Sequence, residues 1–328
     1  MQFIRPALLA TTILTASMTT AFADVRVVTS IKPVHSLVAA VMQGVGTPDL
    51  IVEGAGSPHT YALKPSQAKQ LQEADLVFWM SHDLEAFLEK SIDGIATKAV
   101  SVPLMESHGL MTLGFREGGA FDDHGHDEHD DHDEHDKDDD HDHEKHDDHD
   151  EHDHGEVDPH VWLDPENAKA MVHEIEEALA KADPANAATY ESNAEAVMAK
   201  LDSLVAEIDS ELQPVKGRGY IVFHDAYQYF ENRFGVSAIG SITVSPEVLP
   251  GAERVSDLQE KVRSLDATCV FSEPQFEPKL VATVTENTNA RTGVLDPLGA
   301  AIDKGPNLYF TLIRNMASSL KNCLLGSG

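Results

Sequence analysis

The chain has few cations, few cysteines and, past its N-terminal segment, no long apolar run. Lys and Arg number 24 against 56 Asp and Glu, for a formal charge of −32. A surface so acidic repels a phosphate backbone, which excludes nucleic acid as a partner. No later stretch is apolar for long enough to cross a bilayer. The zinc-hydrolase helix signature His-Glu-x-x-His is missing, and no general base is marked by spacing. Two cysteines, Cys269 and Cys323, leave room for one disulfide or one two-thiol metal site.

The N-terminus opens with Arg5, an apolar run from Pro6 to Met18, and Ala21-Phe22-Ala23. A charged start, a short apolar core and a small-x-small end read as a signal peptide spanning 1–23, cleaved after Ala23. No cysteine follows the cleavage point, so a lipid anchor is not expected. The mature protein is expected in the periplasm. An oxidising compartment favours the Cys269–Cys323 disulfide over a thiol metal site, which needs reduced sulfur.

What the chain has in abundance is histidine among acids. From Asp122 to Glu156 there are 20 acids and two lysines, which accounts for −18 of the −32. Eleven histidines stand among them: His124, His126, His129, His132, His135, His141, His143, His146, His149, His152 and His154. With almost nothing apolar to bury, residues 118–156 are expected to form a disordered loop without a core. Neutral imidazole is a zinc ligand and carboxylates add oxygen donors, so the run is expected to be an auxiliary, weak metal-binding loop. A solvated acidic linker is the competing reading.

Outside this run the pattern alternates strands and helices. Val25–Ser30, Leu50–Val52, Leu76–Met80 and Ala99–Val102 read as strands. Between them lie helices after Pro33, from a cap at Ser66, and from Leu84 to Ile92. Asp164 should cap a helix from Pro165 to Ala182. From Ala187 to Leu212 there is no Pro or Gly, and Tyr190, Ala194, Val197, Leu201, Leu204, Ile208 and Leu212 recur at helical spacing. The grammar then repeats, with strands at Tyr220–Phe223, Val236–Ile242, Cys269–Phe271 and Thr292–Leu295. Helices follow at Ala226–Phe234, Glu253–Leu265, Pro278–Glu286 and Leu308–Leu325. The expected fold is α/β, with two lobes, each a mostly parallel sheet flanked by helices, joined by one long rigid helix. The boundaries fall at 24–182, 183–214 for the linking helix, and 215–328.

In open α/β sheets, ligands collect at the carboxyl ends of strands. His59, His160, His224 and Asp296 stand in such loops, two from each lobe. Three imidazoles and one oxygen make a tetrahedral zinc set, with Asp296 or a water in the fourth place. His35, His82, His108 and His173 show no partner pattern.

Five motifs carry a resemblance over the whole mature chain. They are Gly56-Ser57-Pro58-His59-Thr60-Tyr61 with Lys64-Pro65-Ser66, Asp158-Pro159-His160-Val161-Trp162-Leu163, Phe223-His224-Asp225-Ala226-Tyr227, Ser272-Glu273-Pro274-Gln275, and Leu295-Asp296-Pro297-Leu298-Gly299. The chain resembles the cluster A-I solute-binding proteins of metal ABC transporters, above all their zinc-uptake branch. The resemblance implies a binding protein, not an enzyme, that holds Zn2+ in a cleft between two lobes. It implies delivery to a membrane permease driven by an ATPase. A periplasmic metallochaperone is a further possible partner, and a monomer is expected. Manganese members of the family resemble a pattern with a carboxylate where this chain has His224, and imidazole suits zinc over the harder manganese ion. Some zinc members place a Glu before the first histidine ligand, where this chain has Pro58. A manganese-binding homologue, a zinc metallohydrolase and an adhesin remain as alternatives. Glu273 and Asp225 are expected to support the ligands rather than to ligate.

Overall fold

The computed structural model describes residues 25–116, 121, 157–243, 251–264 and 268–326. Residues 1–23, expected to be a signal peptide, and the histidine-rich run from His124 to His154 lie outside the described residues.

The first half alternates β1 (Val27–Thr29), α1 (Lys32–Val41), β2 (Asp49–Leu50), α2 (Pro65–Glu73), β3 (Leu76–Trp79), α3 (Ala86–Ile95) and β4 (Val100–Pro103). Then come α4 (Pro165–Ala182) and α5 (Ala187–Leu212). The second half runs β5 (Tyr220–His224), α6 (Gln228–Phe234), β6 (Ala238–Thr243), α7 (Ala252–Ser264), β7 (Cys269–Ser272), α8 (Lys279–Thr285), β8 (Arg291–Val294) and α9 (Leu308–Leu325). The strands form two four-stranded sheets, ordered β2-β1-β3-β4 and β6-β5-β7-β8. Every named pair is parallel. Strands β1, β3 and β5 are buried along their whole length, because helices cover both faces of a parallel sheet; this is why they read as unbroken apolar runs.

The long helix is α5, with 26 residues and a length of about 39 Å at 1.5 Å per residue. Its buried side chains are the seven that recur at helical spacing. They join one apolar core that contains β1 and β3 of the first lobe, Tyr220 and Phe271 of the second, and α9. A smaller core under the far face of the second sheet holds Ile221, Phe223, Val270 and Val284. Polar pins add to the shared core. Lys32 Nζ, on α1, donates to the carbonyls of Gly299, Ala300 and Ile302 at 2.6, 3.1 and 2.6 Å. Trp162 Nε1 donates to Pro297 O at 2.9 Å, and Tyr309 OH donates to Trp162 O at 2.7 Å. The two lobes are thus one packed body along this seam. Cys269 and Cys323 are joined, 54 residues apart, and tie β7 to α9. Among the described residues no helix is long and apolar enough to cross a membrane.

Asp164 caps α4 as expected, accepting from Glu166 N at 2.9 Å. Helix α2 departs from expectation. Ser66 is not its cap; Pro65, whose fixed φ suits a first helical position, shifts the cap to Lys64. The Gln67 side chain accepts from Lys64 N at 2.9 Å. Helix α3 starts at Ala86 rather than Leu84, because Glu85 turns inward.

Glu85 is fully buried and its Oε2 accepts from Met80 N and Ser81 N at 2.8 and 3.2 Å. Burial pushes its carboxyl up to about 7, against the pull of Ser30 and the two amides. An acid raised in the folded state binds its proton more tightly there than in the unfolded chain. Its stabilising effect is present below the unfolded pKa and is lost as pH rises through 7. The Glu85→Gln protein should therefore be more stable than the parent above pH 7, by roughly 3 kcal/mol, and no more stable near pH 4. Melting of the metal-free proteins across this range checks it; a difference independent of pH would show that Glu85 titrates normally.

Candidate metal centre

Each sheet order turns back between its two central strands, β1 and β3 in one lobe, β5 and β7 in the other. At the second of these points His224 is the last residue of β5 and Glu273 the first past β7. They meet: His224 Nδ1 lies 2.7 Å from Glu273 Oε1. His160 follows the histidine-rich run and precedes a turn of 3-10 helix at Val161–Leu163. Its Nδ1 lies 2.6 Å from Asp158 Oδ1, which also accepts from His160 N at 2.9 Å. Asp158 Oδ2 accepts from Gln228 Nε2 at 2.7 Å, so α6 of the second lobe fixes the carboxylate that fixes the ring. His59 stands in the loop after β2.

The structure brings His59, His160 and His224 together. One nitrogen from each lies within 4.8 Å of the others, and the ring centroids are 5.3–5.8 Å apart. An ionised carboxylate only accepts hydrogen bonds, so Asp158 and Glu273 place the proton of each partner ring on Nδ1. Both Nε2 lone pairs then face the same space, 3.4 Å apart. Two such lone pairs repel unless a cation, a proton or a metal ion, lies between them. Two nitrogens held at 2.0–2.1 Å on a tetrahedral zinc would stand about 3.3 Å apart.

The electrostatics differ between the rings. Burial, with His160 and His224 close by, lowers His59 to about 2. Burial also opposes charge on His224, but the Glu273 carboxylate outweighs it and raises His224 above its ordinary value. Asp158 and Glu273 are 0% and 3% exposed. The nearby cations are committed elsewhere, Arg116 to Asp225 and Glu231 and Lys32 to backbone carbonyls. Two buried carboxylates, facing His160 and His224 with no Lys or Arg paired to them among the described residues, leave a demand for positive charge. The space in front of the rings, partly open to the outside, is roughly 10 Å³ and is lined by the three histidines, Trp162, Phe276 and Leu298 among others. That is room for an ion or about one water, and for no organic ligand.

Asp296 is not in the group. Its Oδ1 accepts from Gln275 Nε2, Leu298 N and Gly299 N at 2.9, 3.1 and 2.9 Å, and its Oδ2 from Ala300 N at 2.6 Å. Gly299, at φ +71°, lets the chain fold those amides back onto the carboxylate. In this arrangement Asp296 is the hub of a turn. Glu273 supports a ligand, whereas Asp225 faces Arg116. The sequence reading passed over Asp158 and Gln228; the spacing Asp-x-His was the available signal for the first. His35 is buried against Pro48 O, and burial lowers it to about 4. His82 pairs with Glu89, and His173 lies beside Glu176 and Glu177; among the described residues neither belongs to a metal-binding group.

A family model described as "Zinc-uptake complex component A periplasmic" matches residues 27–323. The high-affinity zinc uptake system protein ZnuA of Brucella abortus (strain 2308) is 57% identical over 304 residues, covering 91% of each chain. Its counterpart in Yersinia pestis is 36% identical over 324 residues, covering 98% of each. A crystal structure of ZnuA superposes with a TM-score of 0.73 over 92% of this chain and 99% of that one, at 24% identity, and so shares the fold. A match that runs from the first strand into the last helix, with more than half the residues of one relative unchanged, shows that the chain belongs to the ZnuA family of periplasmic zinc-uptake components.

Proposed function

We propose that the protein captures Zn2+ in the periplasm with His59, His160 and His224, and delivers it to a membrane permease driven by an ATPase. The observation that carries this is the pair of Nε2 atoms at 3.4 Å, backed by two buried carboxylates with no Lys or Arg paired to them among the described residues. A divalent ion there neutralises the site. Three imidazoles favour zinc over manganese, calcium or magnesium, which prefer oxygen. A water completes the tetrahedron in place of Asp296. The protein is exported with residues 1–23 removed after Ala23, acts as a monomer, and exchanges zinc with a periplasmic metallochaperone. Its units are 24–182, a linking helix over 183–214, and 215–328.

Residues 118–156 act as an auxiliary zinc store of low affinity. Their flanks support this placing. Gly114 and Val157 form an antiparallel bridge, and Asp158 N donates to Leu113 O at 2.9 Å. The run thus leaves and re-enters the fold at adjacent points, two residues before the carboxylate that orients His160. Removing 118–156 should lower the total zinc bound and leave one tight site per chain, which manganese does not displace. Loop binding should also fade below roughly pH 6, where imidazoles gain protons. Calorimetry with zinc and manganese on both proteins is the test. Loss of the tight site in the shortened chain would show that the run supplies primary ligands; unchanged stoichiometry would show that it binds nothing.

A further inference from the structure

Among the described residues, three that line the histidine cavity carry a buried polar atom without a partner: Ser57 Oγ, Glu273 Oε2 and Gln275 Oε1. Buried polar groups are nearly always partnered, so such vacancies mark what belongs there. The orientation of the Gln275 amide is not free. Its Nε2 donates to Asp296 Oδ1 at 2.9 Å, and the reverse arrangement would set two acceptors against each other. Three backbone amides hold Asp296 still, so Gln275 Oε1 is an acceptor fixed in place.

We propose that Gln275 and Ser57 position the water that completes the zinc tetrahedron, with Asp296 aiming Gln275. The inference rests on the zinc-capture reading above. A metal-bound water presents its lone pair to the ion and two O–H donors to its surroundings. Gln275 Oε1 accepts one and Ser57 Oγ the other, and those two vacancies are filled. The chain's two departures from a four-ligand protein set then have one account. Pro58 offers no donor beside His59, and Asp296 acts on the fourth position through an amide. A neutral fourth ligand also keeps the site balanced, with two carboxylates against two positive charges; a ligating carboxylate would leave it negative.

The test uses the full chain with one equivalent of Zn2+, and of Co2+ as a visible probe of coordination. Gln275→Ala should still bind one ion at the histidines, about 10-fold or more weakly, in the range expected when an orienting group is lost. Its cobalt absorption band and the pH dependence of that band should shift. Ser57→Ala should move both in the same direction by less. Asp296→Asn should shift the band as Gln275→Ala does, and the double variant should add little. Should Asp296→Asn fail to fold, Gln275→Ala decides alone. A Gln275→Ala protein with unchanged affinity and an unchanged cobalt spectrum would overturn the proposal. So would a cobalt spectrum that stays put in Gln275→Ala but changes in Asp296→Asn, which would make Asp296 the ligand. If the parent binds no ion that depends on His224, the zinc-capture reading fails instead, and the two failures are distinct.

Discussion

The His224→Ala protein is expected to bind zinc in the cleft about a thousand-fold more weakly than the parent, roughly 4 kcal/mol. Three nitrogens define the site, and removing one leaves an ion with two imidazoles and water. The loss is compounded behind the ring. Glu273, 3% exposed, loses its imidazole partner and stays buried with its charge unmet. His160 and His59 cannot close the gap, because His160 is fixed by Asp158 and Gln228. Chelator competition measures the affinity, and melting gives a second reading. A ligand at a thousand times its dissociation constant stabilises the parent by about 4 kcal/mol, and that rise should vanish in the variant. One tight zinc in His224→Ala, bound as in the parent, would show that the ion does not sit where the lone pairs converge.

Much of this site was legible from order alone. A histidine at the end of an apolar run that reads as a parallel strand stands at a carboxyl end, where such sheets bind. That logic places His224, and the loop positions of His59 and His160 follow from the same alternation. The stripe of α5 was legible because seven apolar residues keep one period across 26 positions. Asp296 shows where the reading stops. Sequence shows that a carboxylate follows β8, but not that four donors already occupy it, since that depends on a left-handed turn at Gly299. Glu85 fails likewise: the second residue of the expected helix from Leu84 is a buried acceptor ahead of the helix in the fold. Lys32 and Arg116 were not legible either. Their partners lie 267 and 109 residues away, and nothing local marks a cation that will be buried between two lobes.

Arg116 gives the second large effect. It stands shortly before the acidic run, and it reaches into the second lobe. Its Nε lies 3.0 Å from each oxygen of Asp225, its Nη2 also donates to Asp225, and its Nη1 lies 2.6 Å from Glu231 Oε2. Asp225 and Glu231 are 7% and 4% exposed. Replacing Arg116 by Met should cost the metal-free protein about 3–5 kcal/mol, because two buried carboxylates lose the cation they share. The cost should depend on pH in a set direction. Burial already raises Glu231 above its ordinary value, and Arg116 is the main force pulling it back. Without Arg116 the folded pKa climbs further. A raised acid gives stability that is present below the unfolded pKa and lost as pH rises. The deficit should therefore be small near pH 4 and grow toward pH 8, where Glu231 loses its proton without the cation that faces it. Arg116→Lys should recover only part of the loss, since one ammonium cannot fork across two partners. Zinc should still bind the variant, because Arg116 has no hydrogen bond to the three imidazoles. Denaturant unfolding across the pH range decides the matter. A deficit that stays below about 1 kcal/mol, the scale of an exposed ion pair, or one that does not change with pH, would mean that other contacts of α6 hold the lobes together here: Gln228 with Asp158, Tyr229 OH donating to Asp158 O at 2.8 Å, and Arg233 with Asp164.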